Sequence, residues 1–124
     1  RRTITGEDDG TVLGEVEAIL ASLRAEDPEF DASARLVTSR PPYRVADDAG
    51  VVRRMTAVMR ARGLDAAPVG MSFWTDAAIL AAAGIPSVIF GPGGAGLHSV
   101  EEYVHLADVE VCRDVLISLS ESLE

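Results

Sequence analysis

His98, Glu101 and Glu102 follow closely on a run of glycines, and these side chains are the vocabulary of a metal site. The same stretch, FGPGGAGLHSVEEYV over 90–104, also carries Gly91, Gly93 and Gly96 in the spacing G-x-G-x-x-G. That spacing is the glycine pattern of dinucleotide-binding turns, so two chemistries compete for one loop. One would cradle a phosphate with backbone N–H groups. The other would deliver an imidazole to a metal ion.

The phosphate reading has the three glycines and an expected preceding strand in its favour. Against it, Pro92 removes a backbone N–H where such a turn needs donors. The element after Gly96 does not read as a clean helix whose N-terminus could hold an anion. No second strand ending in an acid follows about 20 residues on. No Lys-Ser or Lys-Thr follows the glycines either, so a P-loop is excluded. A plain tight turn, with glycines for positive φ and no chemistry, stays open. His98-x-x-Glu101-Glu102 is a weak metal motif in isolation. What raises His98 is its place just beyond the C-terminal end of an expected buried strand, where open α/β sheets bind ligands.

Composition bounds the rest. The 124 residues are 48% apolar, 25% charged and 5% aromatic, as in an ordinary globular domain with an aliphatic core. The net charge is −9, and the 11 basic residues, all arginine, are scattered. Nucleic-acid binding needs clustered positive charge and is not expected. No run of about 18 apolar residues offers a membrane span, and RRTITGEDDG lacks the apolar centre of a signal peptide. The single Cys112 precludes a disulfide frame and falls on the apolar stripe of a helix, where it reads as core. A reducing cytoplasmic compartment is expected. The chain starts without Met, in what reads as mid-strand, so an upstream portion is expected.

The elements that must position these residues follow from periodicity. Asp8, Asp9 and Thr11 offer helix-start chemistry before Val12, Leu13, Val16, Ile19, Leu20 and Leu23, predicting a helix over about 11–25. Residues 32–39 read as a strand stopped by Pro41-Pro42. Val51, Val52, Met55, Val58 and Met59 predict a helix over about 48–62, capped by Asp47 or Asp48 and ended by Gly63. Residues 66–71 and 85–90 read as short strands around a compact helix from Thr75-Asp76 to Ala83, closed by Gly84. Val109, Val111, Cys112, Val115, Leu116 and Leu119 give a last helix over about 108–122. The alternation after residue 46 implies a largely parallel α/β layer, with a boundary near 41–47. Neither unit has enough strands for a complete sheet.

The segment TDAAILAAAGIPSVIFGPGGAGLHSVEEYVHLADV resembles the C-terminal signature of the metallopeptidase family of acetylornithine deacetylase, succinyl-diaminopimelate desuccinylase, aminoacylase and glutamate carboxypeptidase. Thr75, Asp76, Ala77, Gly84, Ile85, Pro86, Gly91, Pro92, His98, Glu102, Tyr103 and Val104 match that family's pattern in order. Glu101 stands where Asp or Asn is common. RRTITGED resembles the strand leading into the second half of the family's lid, and Arg40-Pro41 the Arg-Pro that ends the last lid strand. The resemblance covers nearly the whole chain but only about the last third of a family member.

The resemblance implies an α/β fold: the C-terminal part of a parallel or mixed zinc-peptidase-like sheet flanked by helices, preceded by half of a ferredoxin-like α+β lid. Residues 1–45 would be the second half of a lid or dimerisation domain, and 46–124 the C-terminal part of the catalytic domain. His98 would ligate one of two zinc ions (cobalt or manganese being possible substitutes), with Glu102 orienting its ring. Arg40 would hold a substrate carboxylate. Gly91 and Gly93 would let backbone approach the substrate, and Thr75 and Asp76 would touch it or merely start a helix. The activity implied is hydrolysis of an amide bond in a small N-acyl amino acid or peptide, in a homodimer formed through the lid.

The family's other metal ligands, its general-base glutamate and its lid histidine are not in this chain, so no catalytic residue is expected here and the 124 residues alone should be inert. Met71-Ser72-Phe73-Trp74 replaces a glycine run common in carboxypeptidase-like members, which leaves deacetylase, desuccinylase and dipeptidase open. A non-catalytic α/β interaction module on the same scaffold is the alternative from another class.

Overall fold

In the computed structural model, which describes residues 1–122, four helices and one short hairpin are formed. The last two residues of the expected second unit, 123–124, lie outside the described part. Helix α1 runs Asp9–Glu26, α2 Gly50–Ala61, α3 Ala77–Ala82 and α4 Leu106–Glu121; strands β1, Gly94–Ala95, and β2, Tyr103–Val104, lie between α3 and α4. No described helix is long and apolar enough to cross a membrane.

Local chemistry sets the helix ends. Asp8 is the N-cap of α1, its carboxylate accepting from the Thr11 N–H at 2.7 Å and the Thr11 hydroxyl at 2.9 Å. Those bonds to the charged form also hold the Asp8 carboxyl below its usual range. Neither Asp47 nor Asp48 caps α2; Ala49 occupies that position without a side-chain bond. Helices α2 and α3 both close in Schellman turns. Leu64 N–H reaches Met59 C=O at 3.0 Å behind Gly63, and Ile85 N–H reaches Leu80 C=O at 2.9 Å behind Gly84. Both glycines have positive φ, the backbone state this cap requires.

The strands are where the expectation fails. Residues 32–39, 66–71 and 85–90 form no strand, and the pairing present is antiparallel, Gly94 opposite Val104 and Ala95 opposite Tyr103. The parallel layer predicted from the helix–strand alternation is therefore not assembled. A strand exists only when a neighbour pairs its N–H and C=O groups. Here the three segments are separated by helices and lie beside no partner strand among the described residues. Segment 85–90 finds a substitute. The Tyr43 hydroxyl donates to Ser87 C=O at 3.0 Å and accepts from Ser87 N–H at 2.9 Å, and Ser87 is buried.

The core lies where α2 meets α4. Val52 and Met55 of α2 and Val115 of α4 are buried, Val115 completely, together with Ala77 and Ala78 of α3. Arg62 at the end of α2 seals the edge by donating to Ser118 Oγ at 2.9 Å. Burial pushes the Cys112 thiol up, with nearby Asp108 adding to the shift, as fits a packing role on α4. Val109, Val111 and Leu116, expected inward, are exposed, since α2 covers only part of the apolar stripe of α4. Helix α1 buries no residue fully; it is tied to the following segment by Arg24 to the Ala32 carbonyl and by Ser39 Oγ to Asp9.

Before α1, Arg1 clamps two acids. It bonds Glu7 at 2.8 Å through two nitrogens and Glu15 at 2.9 Å and 3.0 Å. The Arg1 hydrogen bonds, helped by the Ile4 N–H, hold the Glu7 carboxyl down to about 2 from an ordinary 4.5.

Two outcomes are expected. Val115→Ala should lower the unfolding free energy by about 2 kcal/mol, read as a reduced urea midpoint. Leu116→Ala, at a position 51% exposed, should change it by less than about 0.5 kcal/mol. For Glu7 the folded-state value is depressed, so its contribution is complete above about pH 4.5 and disappears as pH falls through about 2. Carboxyl carbon NMR should therefore place the Glu7 titration near 2, and Arg1→Gln should return it towards 4.5.

Candidate functional site

The glycine loop is the front of a hairpin. After segment 85–90 the chain passes Gly91 and Pro92, and Gly93 then meets the start of α4. Its C=O accepts from His105 N–H at 2.9 Å, and its N–H donates to the Asp108 carboxylate at 3.2 Å. A side chain at Gly93 would strike that carboxylate, its Cβ falling 2.7 Å from Asp108 Oδ2. Strands β1 and β2 continue the pairing outward, and His98 sits in the connection between them. The hairpin's base is thus fixed on α4, while its tip is exposed.

Close backbone approach dictates the residues of that tip. A Cβ at Gly94 would lie 2.0 Å from the Tyr103 carbonyl oxygen, and one at Gly96 would lie 2.1 Å from that of Glu101. Gly96 also has φ +76°. The expectation that the glycines supply positive φ therefore holds for Gly96 and not for Gly91 or Gly93. Ser99 N–H closes the turn on Gly96 C=O at 2.7 Å, and Glu101 N–H donates to Ser99 Oγ at 3.3 Å.

His98 itself takes the left-handed conformation, φ +63°, alone among the described non-glycine residues. Histidine is among the side chains that tolerate this region, though at a cost that surrounding structure must offset. Part of that offset comes from Glu102, whose carboxylate accepts from His98 N–H at 3.3 Å. Glu102 was foreseen as orienting the imidazole, and the contact it makes here is with the main chain. It holds the backbone of His98, and no hydrogen bond joins it to the imidazole. The ring is exposed on the hairpin. Tyr103 and His105 pack edge to face at 5.5 Å on the β2 side.

The other expected substrate residues form a second group. The Arg40 guanidinium lies over the Trp74 ring, 5.3 Å from its centroid. Trp74 directly precedes Thr75 and Asp76, the residues at the N-terminal shoulder of α3. Asp76 is the N-cap residue of α3 without a side-chain capping bond, so starting the helix does not occupy its carboxylate. No hydrogen bond or ion pair among the described residues links Arg40 with His98. Two surface cavities lie elsewhere. One of about 430 Å³ is lined by Thr3, Glu7, Asp8, Asp9, Ser39, Pro41 and Pro42, and neither is lined by His98 or Arg40.

Among the described residues, no three His, Cys, Asp or Glu side chains gather so as to hold a metal ion. His98 presents one nitrogen ligand without companions, and a lone imidazole is not a zinc site. The structure also identifies residues that sequence reasoning missed. Asp108 braces Gly93 although nothing in a helix's first turn marks it for that task, and Tyr43 reaches Ser87 across 44 positions without any local signal. Gly94 was legible in principle as half of a Gly-Gly doublet.

Gly96→Ala should destabilise the chain by about 1–2 kcal/mol, since it combines a backbone clash with a left-handed φ. Amide exchange at His105 should quicken with it, whereas Gly91→Ala, which meets open space, should leave both within about 0.5 kcal/mol of the parent.

Known proteins give this geometry a context. The peptidase family M20/M25/M40 matches residues 5–122. Acetylornithine deacetylase of Myxococcus xanthus is 33% identical over 116 residues, which is 93% of this chain and 29% of that protein. The chain thus spans less than a third of the length of that relative. No solved structure matches. With the match running from the residues before α1 through Arg40 and the His98 hairpin to the end of α4, the chain belongs to the peptidase family M20/M25/M40.

Proposed function

We propose that this chain is the C-terminal part of a metal-dependent hydrolase that cleaves the amide bond of an N-acyl amino acid or peptide. The observation that carries the proposal is the presentation of His98: a family histidine held at φ +63° on a hairpin braced against α4, with its ring exposed. N-acetylornithine is the first substrate to test, because the relative is a deacetylase of that compound.

Within this reading residues 1–45 belong to a lid through which two copies pair, and 46–124 to the catalytic domain. The compartment is the cytoplasm. Zinc, or cobalt or manganese in its place, is the ion that His98 would ligate. The described donor set does not make a site by itself, and further ligands would have to come from the rest of the protein. What the chain's own residues contribute is binding and orientation. Arg40 offers a planar fork to a substrate carboxylate. Thr75 and Asp76 contact the substrate, Gly91 and Gly93 let backbone approach it, and Gly93 also seats the hairpin. Glu102 fixes the His98 backbone. The 124 residues alone are inactive.

The experiment uses the longest natural protein that contains this chain. Acetate release from N-acetylornithine, succinate release from N-succinyl-diaminopimelate and dipeptide cleavage are each measured beside metal content. One of the three should be turned over, and His98→Ala should remove one metal ion per chain and nearly all activity while circular dichroism stays unchanged. Unaltered metal content with full activity would remove His98 from the metal. A natural protein that binds no metal and cleaves none of the three would instead be the non-catalytic interaction module.

A further inference from the structure

Trp74 stands out because neither the fold nor the His98 hairpin needs it. The chain contains one tryptophan, and it is 38% exposed, so it is not a core residue. It lies instead under the guanidinium of Arg40 at 5.3 Å. An aromatic face attracts a guanidinium and holds it parallel to itself, leaving the N–H edges directed outward. The backbone is restrained as well, since Pro41 limits the conformations open to Arg40. On one edge, Arg40 Nη1 donates to the Ser39 carbonyl at 3.1 Å. The other edge is free: Arg40 enters no ion pair among the described residues, in a chain with 20 acids and 11 arginines. An arginine fixed from below, restrained at its backbone and free at one edge is preorganised for an anion.

We infer that Trp74 is the positioning residue for Arg40, a shelf that turns the free guanidinium edge towards a carboxylate of a small substrate. The inference rests on the assignment of Arg40 to a substrate carboxylate and adds the residue that makes that contact directional. Trp74 does not touch the carboxylate; it narrows the orientations of the group that does.

The test reads the Arg40 Nε–H signal by NMR in the 124-residue chain, titrated with N-acetyl-L-alanine and, separately, with its uncharged amide. In the parent chain the Nε–H should be displaced by the ring current, move with the carboxylate and ignore the amide. Trp74→Phe keeps an aromatic face and should bind within about twofold of the parent. Trp74→Ala and Trp74→Leu, the second retaining apolar bulk should the first fail to fold, should bind about two- to fivefold more weakly, the scale of one exposed cation–π contact. Equal binding by the parent and the leucine variant would overturn the positioning role and leave Arg40 as the carboxylate group. No response to the carboxylate in any chain, or an equal response to the amide, would overturn the Arg40 assignment and the inference with it.

Discussion

The double hydrogen bond between the Tyr43 hydroxyl and the two backbone groups of Ser87 stands in for a strand partner along 85–90. A buried peptide group without a partner costs on the order of 1–3 kcal/mol, and a phenol satisfies both polar groups with one atom. Everything after this segment depends on where it runs. The segment leaves α3 through the Gly84 turn, passes Ser87, and enters the glycine loop that feeds the hairpin. The hairpin is then gripped by Asp108, and α4 packs back on α2. The position of His98 is therefore set at two points: Ser87 upstream and Asp108 downstream. Both are side-chain substitutes for sheet pairing, which explains how a loop can be ordered without a sheet beneath it.

The helices were legible because helix formation is local. Asp8 with Thr11 marks one start, Gly63 and Gly84 mark two ends, and the apolar spacing of Val52, Met55 and Val115 finds the inner faces. Even there, Asp47 and Asp48 misled, since an acid near a helix start caps it only when its carboxylate reaches the exposed N–H groups. The strands were not legible as strands of this chain. Apolar runs such as IPSVIF describe what a segment would bury, and a strand also requires a neighbour that no local pattern supplies. The hairpin went unforeseen for the opposite reason. Two-residue strands bear almost no periodicity, and their signal is the close approach at Gly94 and Gly96.

For the site, residue types were legible and their second contacts were not. The sequence nominated His98 and Glu102 together, and the structure does join them, but through the His98 amide. The distinction is physical. A carboxylate on the ring would fix its tautomer and raise its basicity, while a carboxylate on the amide stabilises a left-handed backbone. Arg40 was nominated by the resemblance of Arg40-Pro41 to the family's Arg-Pro, and its aromatic shelf comes from a residue far along the chain. Contacts of this kind require the path of the chain between them, which periodicity does not contain.

The departures from the expected burial share a direction. Val109, Val111 and Leu116 lie on the helix face, and Ile85 and Ile89 in the apolar run, that their pattern assigns to an interior, and all are exposed. No charged residue is buried among those described; the buried polar residue is Ser87, fully bonded. A pattern that had simply been misread would produce errors of both kinds, with charges dragged inside as often as apolar groups were left outside. Errors only towards exposure mean that the sequence encodes more burial than the α2–α4 contact can use. Local propensity and binary pattern agree with one another here, and what they lack is surface to pack against. Ile89, 53% exposed, sits one residue before the turn that leads to His98, so the unmet burial and the presented imidazole lie on the same short stretch. Any surface that covered Ile85 and Ile89 would hold segment 85–90 along its length rather than at Ser87 alone, and would thereby stiffen the support from which His98 projects.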